Sequence, residues 1–230
     1  MKAERAAKLL GGSNLFADLD EETLLKVADR LIERSYKKGQ VIFYQGDLGD
    51  SLFLVAEGLV KVMVTSPDGE EMVLTTVRPP DIFGELAVFD GGQRSASAEA
   101  LEATTTLGLT RETFLTVLQE HPRLQDALLR SLGNVLRRLT EQASDLVFLD
   151  LHGRVAKLLL GLADDRGEKQ GDETLLDLRM TQADLAAMVG GSRQRVNVIL
   201  RSFEDRGYLA LEGRKIKLIR ADLLKRRASA

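Results

Sequence analysis

The apolar positions of the chain change period several times between the two termini. Leu19, Leu24, Val27, Ala28 and Leu31 fall at helical spacing behind Asp20, a candidate N-cap, which predicts a helix over residues 15–33. The period then drops to two. Residues 41–44, 51–55, 59–64, 71–77 and 104–109 read as short strands, punctuated by Gly39, Gly46, Gly49, Gly58, Gly69 and the pair Pro79-Pro80. Many short strands separated by glycine turns predict a β-sandwich or barrel.

A helical period returns over residues 125–146, where Leu129, Leu132, Leu136, Leu139, Ala143 and Leu146 alternate in steps of three and four. Such a seam suits a parallel coiled-coil partner, and a core helix within one chain is the alternative. A second row, Leu124, Leu128 and Val135, is placed to face the β-rich domain. Further on, Thr181 can cap a helix with the stripe Leu185, Ala186 and Val189, and Gly190-Gly191 permits a turn. Ser192 can cap a second helix carrying Val196, Ile199, Leu200 and Phe203. This pattern predicts a helix-turn-helix. Residues 208–219 alternate like two strands around Glu212-Gly213, the wing of a winged helix.

Charge sharpens the division. Residues 1–150 hold 16 Lys and Arg against 24 Asp and Glu, or −8, whereas residues 151–230 hold 16 against 11, or +5. The basic end therefore coincides with the helix-turn-helix, as attraction to phosphate requires. Arg193, Gln194, Arg195, Asn197 and Arg201 lie on the second helix and can hydrogen-bond base edges or phosphates, with Thr181, Gln182 and Ser192 at the helix starts. Arg214 and Lys215 on the wing, with Lys217 beside them, would contact phosphates. A helical hairpin with a solvated arginine face is the bland alternative.

The chain has no cysteine, which excludes disulfides, thiolate catalysis and a cysteine-held iron–sulfur cluster, and only two histidines, His121 and His152, so no metal is expected. No apolar run is long enough to span a membrane, and the amphipathic start lacks a signal-like apolar core, so the expected location is the cytoplasm. Residues 151–230 contain no nucleophile and base in a catalytic pattern, and no enzyme is expected.

The segment Phe83-Gly84-Glu85-Leu86-Ala87, followed by Asp90-Gly91-Gly92-Gln93-Arg94-Ser95-Ala96, can form a phosphate cradle. Gly84 allows close backbone approach, one helical turn after it offers N–H groups, and Arg94 supplies countercharge with Ser95 adding a hydroxyl. Glu85 is placed for a sugar hydroxyl, and a loop salt bridge between Glu85 and Arg94 is the alternative. Replacing Arg94 by Leu should abolish phosphate binding, because it deletes the only candidate countercharge, and leave the fold intact.

With these motifs in order, together with Phe148-Leu149-Asp150-Leu151-His152-Gly153-Arg154, the chain resembles the CRP/FNR family of bacterial transcription regulators over residues 15–218. The resemblance implies an α+β architecture: an N-terminal jelly-roll-like β-roll that binds a cyclic nucleotide (1–121), a dimerisation helix and hinge (122–150) and a C-terminal winged helix-turn-helix (151–230). It implies a homodimer on near-palindromic double-stranded DNA, with RNA polymerase as a partner by analogy. Gly84, Glu85, Leu86, Arg94 and Ser95 match the family's effector cassette. The positions that present Thr and then Ser or Asn to adenine in cyclic-AMP-responsive members are Leu139 and Thr140, and an Arg one turn earlier is Val135. Cyclic AMP is the first choice of effector, with another cyclic mono- or dinucleotide, or none, as alternatives. Arg193 matches the guanine-reading Arg, whereas Gln194 stands for a Glu and Val198 for an Arg, so the operator should differ. The heme and iron–sulfur branches need ligands that are missing here.

Overall fold

The computed structural model describes residues 2–213 and 215–229, and the chain divides into two compact units, Met1–Arg137 and Arg138–Ala230. The first unit begins with helices α1 (Ala3–Gly12) and α2 (Glu21–Ala28), then strands β1 (Ile32–Tyr36), β2 (Val41–Phe43), β3 (Ser51–Glu57), β4 (Val60–Thr65), β5 (Glu71–Val77) and β6 (Ile82–Phe83). Helix α3 (Glu85–Asp90), β7 (Ser97–Ala100), β8 (Thr104–Thr110) and α4 (Arg111–Glu120) lead to the long helix α5 (Pro122–Phe148).

The strands form two antiparallel sheets, β1-β8-β3-β6 and β2-β7-β4-β5. Strand β3 shows why the roll holds together, because successive side chains of a strand point to opposite faces. Leu52, Leu54 and Ala56 join Phe16, Phe114 and Leu124 under the helices, whereas Phe53 and Val55 join Val60, Val77, Phe83 and Ala98 between the sheets. Both faces are buried, so β3 lacks polar alternation. Each fully buried Phe or Leu contributes about 1.5–3 kcal/mol to this arrangement.

The structure shortens the predicted first helix. Asp20 caps α2 by accepting from Thr23 N–H, as expected, but the helix stops at Ala28, and Ile32 and Glu33 belong to β1. Strand β1 is almost wholly exposed and pairs with β8 at the sheet edge, so its place comes from ladder hydrogen bonds, which a period count does not see.

In the second unit α6 (Leu151–Arg166) follows the end of α5, then β9 (Glu168–Gln170), β10 (Glu173–Asp177), α7 (Gln182–Val189), α8 (Arg193–Asp205), β11 (Leu209–Glu212), β12 (Lys215–Leu218) and α9 (Ala221–Arg227). The hairpin β11-β12 is the two-strand wing that residues 208–219 predict, and it joins β10 and β9, which the sequence does not announce, in a sheet of order β11-β12-β10-β9. Asp150 caps α6, accepting from Gly153 N–H at 2.8 Å, and its carboxylate also pairs with Arg227 of α9. Those two contacts hold the Asp150 carboxyl below the usual carboxylate range, the Gly153 bond contributing most. Among the described residues no helix is long and apolar enough to cross a membrane.

Candidate effector pocket and nucleic-acid interface

In the first unit the candidate phosphate cradle is built around Arg94. The loop before β3 and the segment before β7 are laced by main-chain bonds, Gly46 N to Arg94 O at 2.9 Å and Arg94 N to Asp47 O at 2.8 Å. That clamp fixes the backbone of Arg94 and turns its side chain inward, where 5% remains exposed. Nη1 donates to Gly84 O and Nη2 to Ser51 O, each at 2.6 Å, and the guanidinium lies 4.2 Å over the ring of Phe43. Nε is buried with no hydrogen-bond partner among the described residues. Burial pulls the guanidinium below the usual arginine range, and the carboxylates of Asp50, Asp47 and Glu85 oppose that pull. It stays a cation, since arginine does not lose its proton in proteins.

Two glycines make the cradle possible. Gly84, with φ +74°, caps α3 from the left-handed region, and a Cβ there would lie 2.8 Å from Arg94 Nη1. A Cβ on Gly49 would lie 2.1 Å from that of Ala87, so the β3 approach loop and α3 could not meet. Glu85 and Leu86 form the first turn of α3 and are half-buried, and Ser95 is exposed beside Arg94. Phe43, Phe53 and Phe83 stack in the roll interior at centroid distances of 5.4–5.9 Å, forming the floor under the guanidinium. Sequence reasoning missed Phe43, Gly49 and the carbonyl of Ser51. Their contacts with Arg94 and Ala87 span dozens of residues, and Gly49 passes for one more turn glycine. Arg94 also has a structural role: the side chain is buried, and its two short bonds tie the cassette to β3.

Leu139 and Thr140 lie on α5 within the second unit, and both are exposed. Most of the predicted seam is open, with Leu129, Leu136, Leu139 and Leu146 exposed at 68%, 67%, 46% and 44%, whereas Leu132 is half-buried. The second row behaves differently: Leu124 is fully buried, and Leu128 packs against the same core.

In the second unit α7 opens with a reciprocal capping box. Asp184 N donates to Thr181 Oγ1, and Thr181 N donates to the Asp184 carboxylate at 2.8 Å. Gly190, with φ +63°, ends the helix, and Ser192 caps α8 by accepting from Arg195 N–H. Leu185, Ala186, Val189, Val196, Ile199, Leu200 and Phe203 are all buried, so the two helices are locked as a unit. Thr181, Ser192, Arg193, Gln194, Arg195 and Arg201 are exposed, and Gln182 and Asn197 are half-buried. The wing is held to α8 by Leu211 N–H donating to Glu204 at 2.8 Å. Lys215 is exposed, but Lys217 pairs with Glu173 at 2.6 Å, so its charge is offset within the sheet rather than offered outward. Arg214 lies outside the described residues. Residues 163–174 hold the end of α6, strand β9 and the first two residues of β10.

The cyclic nucleotide-binding domain family matches residues 33–121, and the Crp-like helix-turn-helix domain family matches residues 153–227. The "CRP-like cAMP-activated global transcriptional regulator" of Mycobacterium tuberculosis is 34% identical over 221 residues, covering 96% of this chain and 99% of that protein. This chain belongs to the CRP/FNR family of transcription regulators. The "Cyclic AMP receptor protein" of Thermus thermophilus is 36% identical over 213 residues, covering 93% of this CRP/FNR regulator and 95% of that protein. A solved CRP/FNR family transcriptional regulator, also from Thermus thermophilus, superposes with a TM-score of 0.70 at 29% identity, over 86% of this chain and 99% of its own. The Arg94 cradle of this CRP/FNR regulator lies within the first matched domain and the α7–α8 pair within the second.

Proposed function

We propose that the chain acts as a homodimer that binds a near-palindromic operator under the control of a cyclic nucleotide, cyclic AMP first, held in the β-roll. The observation that carries this reading is the state of Arg94: a buried cation whose two hydrogen bonds end on neutral carbonyls and whose Nε has no partner among the described residues. A cyclic phosphate supplies a directly bonded anion and the missing acceptor, and a ribose hydroxyl suits Glu85. Gly84 and Leu86 shape the cradle, Ser95 adds a hydroxyl, and Leu139 with Thr140 would meet the base. The names of the two relatives support cyclic AMP.

The exposed seam of α5 supports a second copy as partner, since four leucines in a heptad row face away from their own chain. Two copies related by a two-fold axis present two α8 helices to successive major grooves. Thr181, Gln182, Ser192, Arg193, Gln194, Arg195, Asn197, Arg201, Arg214 and Lys215 make the DNA contacts. Effector-binding (1–121), dimer-forming (122–150) and DNA-binding (151–230) segments divide the work. The effector acts by favouring one arrangement of the dimer, to the extent that it binds that arrangement more tightly. The protein is a cytoplasmic regulator and not an enzyme, with RNA polymerase downstream by family analogy.

Leu139 favours a second reading, in which another cyclic mono- or dinucleotide is the effector or none is needed, because an apolar side chain stands where a hydroxyl would meet adenine. Titration calorimetry with cyclic AMP, cyclic GMP, cyclic di-GMP and linear AMP separates the readings. Saturable binding of cyclic AMP, with linear AMP inert, supports the first, and silence across the panel overturns the pocket.

A further inference from the structure

One side chain on α8 breaks the character of its surroundings. Val198 is 62% exposed, while Val196, Ile199 and Leu200 of the same helix are exposed at 1–3%. At about 100° per residue, Val198 stands on the side of the helix opposite that buried stripe. Gln194 lies one turn before it and Arg201 just under a turn after, so the outermost ridge of α8 runs Gln194, Val198, Arg201. The fold gains almost nothing from this valine. It buries little, and β-branching makes it a poorer helix former than a long polar side chain.

On the reading of α8 as the recognition helix, this ridge is the part that enters the major groove deepest. A compact, branched apolar group there forms no hydrogen bond with any base edge. It does fit one feature of the groove, the C5-methyl group of thymine, which excludes water when it packs against an aliphatic side chain. Gln194, one turn away, carries the amide fork that suits adenine N6 and N7. Neighbours at this spacing are about 5–6 Å apart, close enough to serve the same or adjacent base pairs, which are stacked about 3.4 Å apart. We propose that Val198 is a specificity-determining residue that reads a thymine methyl in each half-site, beside an adenine read by Gln194. The operator thus carries A·T pairs under this ridge, next to the guanine read by Arg193.

The test starts from a random duplex pool, enriched on the full-length protein with and without cyclic AMP. Each thymine of the enriched half-site is then replaced singly by deoxyuridine, which removes only the methyl group. Wild type should lose about fourfold in affinity at one thymine per half-site, the effect of one buried methyl. Val198→Ala, which withdraws the two γ-methyl groups at an exposed position, should show a markedly smaller penalty from the same replacement while keeping the guanine preference. An enriched site with no methyl-sensitive thymine, or a methyl penalty equal in wild type and Val198→Ala, overturns the role of Val198 and leaves α8 as the recognition helix. Failure to enrich any sequence overturns the recognition-helix reading, and the proposal with it.

Discussion

Replacing Arg94 by Leu tests both halves of its role. In the fold, the variant loses two hydrogen bonds of 2.6 Å and leaves Gly84 O and Ser51 O without their partner. Each half-buried carbonyl left without its donor costs up to about 1–3 kcal/mol. Removal of Nε, which has no partner among the described residues, and continued apolar contact with Phe43 offset part of that. The net expectation is a loss of about 2–4 kcal/mol, or a fall of about 10 °C in the melting of the first unit at roughly 3 °C per kcal/mol. For binding, the loss is that of a buried charge partner, about 3–5 kcal/mol, which removes two to three and a half powers of ten in affinity. Calorimetry with cyclic AMP, run below the variant's melting onset as fixed by circular dichroism, reads the second effect apart from the first. Arg94→Lys keeps the charge but not the planar fork, so it should bind more weakly than wild type and more tightly than Arg94→Leu. Wild-type affinity in a folded Arg94→Leu variant would refute the pocket.

Leu136→Glu places a charge in the exposed seam, and sedimentation should show monomer where wild type shows dimer; an unchanged dimer removes α5 as the interface. Leu139→Thr should tighten cyclic AMP by about 0.5–1.5 kcal/mol, the net value of one hydrogen bond, and calorimetry showing no gain would place that position away from the base. Arg193→Ala should cost about 1–3 kcal/mol at one base of each half-site, whereas Lys215→Ala should weaken all sequences alike and flatten the salt dependence. Equal losses on operator and random DNA for Arg193→Ala would make it a phosphate contact. Asp150→Ala should cost about 1 kcal/mol through loss of the α6 cap. Because contacts with Gly153 and Arg227 lower the folded carboxyl's pKa, their stabilisation is complete above the ordinary value near 4 and fades as pH falls through the lowered one. Thermal melts from pH 7 to pH 3 should show a smaller acid-side decline in Asp150→Ala than in wild type; parallel curves would contradict the linkage.

Local chemistry made much of this legible in the sequence. Thr181, Gly190 and Ser192 announce the helix-turn-helix because capping and a left-handed turn are set within a few residues. Residues 71–77 match β5 because branched side chains alternate there. By contrast, β1 is polar and exposed, β9 is polar, and β7 consists of Ser97, Ala98, Glu99 and Ala100, small or charged residues that carry no strand signal. Only the neighbouring strands recruit them. The same distinction holds at the site. Arg94 reads as a countercharge from its neighbours in sequence, but its bond to Ser51 spans 43 positions and its stacking on Phe43 is likewise a product of the closed roll. The open seam of α5 is visible in both, since its leucines repeat in sequence and stand exposed in space.

The coupling between nucleotide and DNA is the central claim, and fluorescence anisotropy of a labelled, pool-selected operator measures it directly. Titrations without nucleotide and with saturating cyclic AMP should differ in affinity by about 5- to 150-fold, and operator should tighten cyclic AMP by the same factor. Identical operator affinities, with calorimetry showing the nucleotide site filled, would contradict the account.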